Sequence, residues 1–545
     1  MMSSFAGFQG KVVQRGDEAY EESVYQYGWS SYETEGVIEP LAVIYAQDDG
    51  DVITAINYAK TNNVAVSVRT GGHQYCGASS TNDNNIQLDL SQTYTDFQWE
   101  NADHSQVTLG ISIPLGKFQS KLRAQRRFVP TGQCSYVHLG GHVQTGGYGQ
   151  LIRSFGLLAD YVQKVRIITA DGVKRWVERG VAADKELLYA ILGGSPGNFG
   201  VITDVTLNVQ KDEDHALSRG FRAQFPYTEA RLKALLDVMV AQDDKPDTPG
   251  DYDYCITVMG ARPAEGKPAT GIVVFAQWAN LEGPGQVYHP DLFNKIRAAG
   301  GGKGRMTPVG SPNDGIFIDD EPTPMSELCS HWLFPIAREF QVPYHKRTYM
   351  SNSNSMTLKA NNWTEWVSGR IEELVAGSPN ECFVSAQFQY CGGTNSRFIT
   401  HGMEGITSLS WRDSSFGCTL DAFYDTKTAG PYQTSLAWVQ KNDIDGVGHA
   451  GAKFSVQDRR VLWGSYDLDL VAARAFYYDQ WPEKYDRLCR TKLQYDPDHV
   501  FTPNKFCIGP LPPRAHVDVR KSGSKYAFSN ALKSADVRSC AAGHC

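Results

Sequence analysis

The sequence predicts an α+β protein with two hydrophobic cores, from its length, a strand–helix–strand text near the start, and a middle third of alternating strands and amphipathic helices. At 545 residues the chain exceeds what one core usually organises. LAVIYAQ, DVITAINYAKTNN and VAVSVRTGG, within residues 41–72, read as strand, helix, strand and glycine turn. VQKVRIITADGVKRWVE, from Val162, reads as two strands about an Asp-Gly hairpin. DKELLYAIL is a short helix leading through a glycine loop into the strand VITDVTLNVQ. From about 215 to 455, ARLKALLDVMVAQ and TEWVSGRIEELVAG carry a helical apolar stripe, whereas CITVMGA, GIVVFAQWA and ECFVSAQFQY alternate as half-buried strands. An antiparallel sheet backed by helices is expected there. Glycine-proline stretches such as GKPATG and AAGGGKGRMTPVGSPNDG are expected surface loops. Asp496-Pro497 stops a last helix, EKYDRLCRTKLQY, and the text from Pro510 has little periodicity.

Composition narrows the function classes. With 41% hydrophobic and 21% charged residues and a net charge of −8, the chain is ordinary globular material. No run of Lys or Arg is long enough to track a phosphate backbone, which argues against nucleic acid as a partner. The 27 Tyr, 24 Phe and 11 Trp suit the wall of a flat-ligand or sugar pocket, or simply a core. No stretch approaches the roughly 18 apolar residues of a membrane span, and MMSSFAGFQGKVVQRGDE is not a signal peptide, so a soluble intracellular protein with no membrane partner is expected. Eleven cysteines are too sparse for a disulfide scaffold, Cys540 and Cys545 sit in the tail, and zinc spacing is absent, so no metal is expected.

Three glycine patches carry the chemistry. In Arg69-Thr70-Gly71-Gly72-His73-Gln74-Tyr75, a Gly-Gly turn after a strand lets backbone N–H groups approach an anion such as a pyrophosphate, with Arg69 expected to reinforce it. The run Gly132 to Gly149 includes Cys134, Val137, Gly140, Gly141, His142, Gly146 and Tyr148, and is too glycine-rich for the interior of a strand or helix. A backbone that wraps a large buried cofactor explains it. It is not the G-x-G-x-x-G fingerprint of the doubly wound dinucleotide fold. The third patch, Gly193 to Thr203, contains Gly200 and Ile202 and leads into a strand.

The order R-T-G-G-H-Q-Y, G-x-C-x-x-V-x-x-G-G-H, G-G-Y-G, G-L-x-x-D, I-T-A-D-G, G-x-F-G-V-I-T and K-x-x-Y-D-P-D-x-V-F closely resembles the berberine-bridge-enzyme-like oxidases of the vanillyl-alcohol-oxidase/p-cresol-methylhydroxylase superfamily. The likeness covers about residues 35–210 and 460–510; in the middle, Lys346–Met350 and Gln387–Gly393 resemble blocks of the hexose- and oligosaccharide-oxidising branch. This resemblance implies a two-part FAD-binding domain at 35–212 and 456–510, a substrate domain at 213–455, and a loose tail at 511–545. It implies FAD attached twice, 8α-histidyl through His73 and 6-S-cysteinyl through Cys134. It also implies a pyrophosphate held by Thr70, Gly71, Gly72, Gly140 and Gly141, with Asp160, Gly200 and Ile202 near the adenosine end.

Val137, three residues after Cys134, stands where the family is thought to control the approach of O2, and a small side chain there resembles the oxidases. Oxidation of an alcohol needs a base for the hydroxyl proton while hydride leaves for the flavin N5. Tyr75 and Tyr148 match substrate-side tyrosines of the family. The usual base is a tyrosine in Y-x-N-Y-x-D-x-D-L; here Leu462-Trp463-Gly464-Ser465-Tyr466-Asp467-Leu468-Asp469-Leu470 puts Tyr466 one residue out of register, leaving Tyr466, Asp421, Tyr424 and Tyr148 as candidates. The expected partners are a small molecule and O2, with H2O2 as product. A sugar or oligosaccharide oxidised at its anomeric hydroxyl stands beside two alternatives: dehydrogenation or oxidative cyclisation of a specialised metabolite, and a non-catalytic flavin-binding protein.

Overall fold

The computed structural model describes residues 5–26, 38–75, 77–243, 248–260, 270–301, 315–333, 344–351, 355–377, 382–424, 429–445, 454 and 482–509. The stretch Leu462–Leu470 with Tyr466, most of the two glycine-proline loops, and the tail from Pro510 lie outside them.

The βαβ text folds as written. The strands Ala42–Tyr45 and Val66–Arg69 both pair, in parallel, with the strand Ile86–Asp89 between them, and Val12–Gln14 adds an antiparallel edge. The connecting helix Asp49–Asn62 starts where the Asp48 carboxylate accepts from the N–H groups of Gly50 and Asp51, and ends at Asn63 in the left-handed region, φ 53°. A second, antiparallel sheet runs Phe97–Trp99, Gln106–Gly110, Val201–Asn208, Val162–Ile168, Lys174–Glu178, its last pair being the expected Asp-Gly hairpin.

Both sheets share one core with a segment some 300 residues away in sequence: Leu488, Cys489, Phe501 and Ile508 pack among Ile44, Leu88, Val165 and Val205. The helix Pro482–Tyr495 and the Asp496-Pro497 turn are fixed there by a fully buried pair, Lys492 Nζ to Asp496 Oδ2 at 2.6 Å. Asp496 also accepts from the N–H groups of Val500 and Phe501, and Lys492 donates to the Phe501 carbonyl. Stranding either charge is expensive, so Lys492→Met is expected to lower stability by about 3–5 kcal/mol, checked by denaturant melting.

The second core lies under a seven-stranded antiparallel sheet in the order Gly315–Pro322, Arg219–Pro226, Gly271–Trp278, Tyr252–Met259, Cys382–Tyr390, Phe416–Tyr424, Tyr344–Ser351. Period-two alternation sorts its residues: Val384, Ala386, Phe388, Leu420 and Ala422 pack beneath the helices Glu229–Asp243 and Trp363–Gly377, while Ser385, Gln387, Gln389, Thr419 and Asp421 face the glycine loops. The two cores are joined by buried polar contacts. Arg153 donates to the carbonyls of Tyr252 and Gly392 at 3.0 and 2.9 Å, and its backbone N–H donates to Asp253. Among the described residues no helix is long and apolar enough to cross a membrane.

Candidate active site

A cavity of about 480 Å³ lies between the glycine loops and the polar face of the seven-stranded sheet. Its size is that of a cofactor or substrate site. The strand Val66–Arg69 delivers Thr70, Gly71, Gly72, His73 and Tyr75 to one wall, and the second patch delivers Cys134, Val137, Gly140, Gly141, His142 and Tyr148. Gly200 and Ile202 come from the third, and Asp421 from the sheet opposite.

These glycines have steric reasons. Gly72 has φ 64°, and a Cβ on Gly140 would come within 2.9 Å of Thr70 Cγ2, forcing the first two loops apart. A Cβ on Gly141 would meet nothing within 4 Å, so this backbone fronts open space. Three loops distant in sequence thus expose backbone to one hollow. Among the described lining residues Asp421, on the sheet side, is the only carboxylate, so the loop side opposes no fixed negative charge to a pyrophosphate. That arrangement fits FAD.

Three expected cofactor contacts lie elsewhere. Arg69 does not enter the cavity: its guanidinium donates to Asp89 at 2.5 Å and to the carbonyls of Ser23 and Tyr25 at 2.7 and 3.0 Å, anchoring the chain's N-terminal segment. Alternation explains it, because Arg69 is the last strand residue and points away from the turn it precedes. Asp160 is also absent from the lining, because Arg412 takes both its oxygens, at 2.8 and 3.0 Å, and so ties the two cores together. Gly146, φ 97°, is a packing glycine whose Cβ would meet Leu409 at 2.8 Å. Tyr424, a candidate base, belongs to the helix-covered face of its strand and stacks on His345 at 5.1 Å.

His142 lines the cavity and also shapes it. Its Nε2 accepts from the Gly132 N–H at 2.9 Å, and burial lowers its pKa to about 4, so the ring is neutral and closes the loop that carries Cys134. Gln133, beside Cys134, accepts from Gln387 Nε2 at 3.0 Å, tying this loop to the sheet.

On the sheet, register aligns Ser385 with Asp421 and Asp421 with Lys346. Lys346 Nζ lies 2.9 Å from both oxygens of Asp421 and 4.6 Å from the centroid of the Tyr75 ring. Opposite-charge partners on adjacent strands thus meet under a tyrosine of the first motif. Tyr148 is different: burial raises its pKa to about 12, and the neighbouring Thr419 hydroxyl offsets this only in part. It stays protonated at working pH and suits donating a hydrogen bond rather than taking a proton. Tyr148→Phe is therefore expected to slow flavin reduction less than about tenfold and to leave its pH profile unshifted from roughly pH 6 to 10, measured by anaerobic stopped flow.

Sequence reasoning did not single out Lys346, Gln387, Gln389, Thr419, Thr257 or Trp332 as site residues, although all six line the cavity. Five of them share one signal, a place on the same alternating face as Asp421; Trp332, at a helix end, has none.

A family model described as FAD binding domain matches residues 40–177. Among curated relatives, an uncharacterised FAD-linked oxidoreductase of Bacillus subtilis is 31% identical over 37% of this chain and 43% of its own length. Berberine bridge enzyme-like 19 of Arabidopsis thaliana is 31% identical over 31% of this chain and 30% of its own. An FAD-linked oxidoreductase of Dictyostelium discoideum is 27% identical over 51% and 56%. The chain thus spans between about a third and just over half the length of these relatives. Among solved structures, a chitooligosaccharide oxidase superposes with TM-score 0.68 at 15% identity, and a xylooligosaccharide oxidase from Myceliophthora thermophila C1 in complex with xylobiose with 0.67 at 17%. The 6-hydroxy-D-nicotine oxidase from Arthrobacter nicotinovorans gives 0.66 at 20%. Each of these three covers 92% of this chain and 98% of the other, and at such identities the likeness shows the fold. The chain thus carries an FAD-binding domain, is similar over part of its length to berberine-bridge-enzyme-like and other FAD-linked oxidoreductases, and shares its fold with the flavin oxidases above.

Proposed function

We propose that this protein is an FAD-dependent oxidase that dehydrogenates a neutral hydroxylated molecule, a sugar or oligosaccharide at its anomeric hydroxyl, with O2 as electron acceptor. The observation that carries this reading is the cavity itself, which joins His73 and Cys134 on the loops to a sheet face of Ser, Thr and Gln side chains around one Lys346–Asp421 pair. Uncharged hydrogen-bonding groups suit hydroxyls better than a charged substrate. The fold shared with two oligosaccharide oxidases supports the sugar.

Bound FAD would supply the two-electron acceptor and the reaction with O2. The chain's part is holding, orienting and proton handling. His73 and Cys134 would tether the ring from two loops, and the backbone of Thr70–Gly72 and Gly140–Gly141 would hold the pyrophosphate. Asp421, oriented by Lys346, takes the substrate hydroxyl proton, while Tyr148 donates a hydrogen bond and Tyr75 walls the site. Val137 stands in the lining near Cys134, and its small side chain would let O2 approach the flavin. Val137→Leu is expected to slow reoxidation of reduced enzyme by air about tenfold or more while peroxide remains the product; an unchanged rate would refute the oxygen-access role. Reaction of a specialised metabolite is the second reading, favoured by Leu462 and Ser465 at positions where relatives carry tyrosine.

A further inference from the structure

We propose that Trp332 and Thr257 form a substrate subsite at the end of the cavity remote from the Lys346 strand, recognising an oxygen of a neutral polyhydroxylated ligand. This rests on the function proposed above. Trp332 ends the helix Met325–Trp332, its ring edge-on to Phe275 at 4.9 Å, so the indole is fixed by packing. Its Nε1–H is buried and has no hydrogen-bond partner among the described residues, and the buried Thr257 hydroxyl meets only the neighbouring Cys255 thiol, a weak partner. Both residues line the cavity, 3% and 5% exposed.

A buried donor left unpaired is costly, and an unpaired indole N–H near a hydroxyl met only by a thiol, both on one cavity wall, points to a partner from outside the chain. Indole N–H only donates, whereas the hydroxyl donates or accepts, so the pair suits a hydroxyl or ether oxygen rather than a cation. Among the described lining residues no carboxylate stands at this end to hold a cation. Register gives the distance from the chemistry: Thr257 opposes Gln387, which opposes Thr419, two residues from Asp421 on the same strand. Two strand spacings of about 4.8 Å put the subsite on the order of 10 Å from Asp421, beyond the reach of a single pyranose ring whose reacting hydroxyl lies at that carboxylate. Met259, next along the strand on the same face and 44% exposed, marks the mouth.

The test is titration of the flavin-loaded protein with methyl β-cellobioside, whose blocked anomeric position permits binding without turnover, followed by perturbation of flavin absorbance. Trp332→Phe keeps the ring and removes the N–H; Thr257→Val keeps the shape and removes the hydroxyl. Each is expected to weaken binding about 3- to 10-fold, with the double variant losing less than the product of the two because both groups meet one ligand. Methyl β-glucoside, too short to span the distance, is expected to bind all forms alike. Wild-type protein that does not bind the cellobioside, or variants within twofold of wild type, would overturn the subsite. Binding of the cellobioside with no flavin reduction by cellobiose would leave the subsite standing and refute the oxidation of sugars instead.

Discussion

Acid precipitation of the His73→Ala, Cys134→Ala double variant is expected to leave all of its flavin in the supernatant, whereas the wild-type pellet stays yellow. Each single variant is expected to keep its flavin through the remaining tether. Both residues line the same cavity, from loops fixed by unrelated contacts: the first continues a parallel strand, and the second is closed by His142 on Gly132 and by Gln387 on Gln133. Two attachment points on independently anchored loops would hold the ring in place while one face stays open toward the sheet. Absorbance of the precipitate and intact mass of the denatured protein read the result. Flavin mass retained by the double variant, or absent from the wild type, would refute attachment through this pair.

Asp421→Asn is expected to slow anaerobic flavin reduction by about 10² to 10⁴-fold, the usual loss when a positioned general base is removed. The substitution is close to isosteric and leaves Lys346 a side-chain oxygen to donate to, so the fold is expected to survive. Lys346→Met is a poorer probe, because it strands the buried carboxylate. Melting curves alongside stopped-flow traces separate the two effects. A limiting rate within about threefold of wild type would move the proton to another group, Tyr466 first.

Much of this was legible in the text. The βαβ unit, the Asp-Gly hairpin, the amphipathic helices and the alternating strands are local patterns, and period and turn chemistry specify them directly. That His73, Cys134, Gly140 and Gly200 would meet was legible only through the resemblance, because nothing local says that loops about 60 residues apart close on one hollow. Arg69 and Asp160 show the limit: both sit in the right motifs, but whether a side chain turns toward a cofactor or toward a structural partner is decided by Asp89 and Arg412, which lie elsewhere in sequence. Lys346 stands within one of the motif blocks, but its role arises from cross-strand register with Asp421, a relation between residues 75 apart that no local pattern carries.

The most direct measurement is anaerobic mixing of the purified flavoprotein with a panel of mono- and oligosaccharides, followed by admission of air and assay of peroxide. Rapid bleaching of the flavin by a reducing sugar, with recovery in air and formation of H2O2, is the predicted result. A flavin that no sugar reduces would contradict the account and favour a specialised metabolite as substrate.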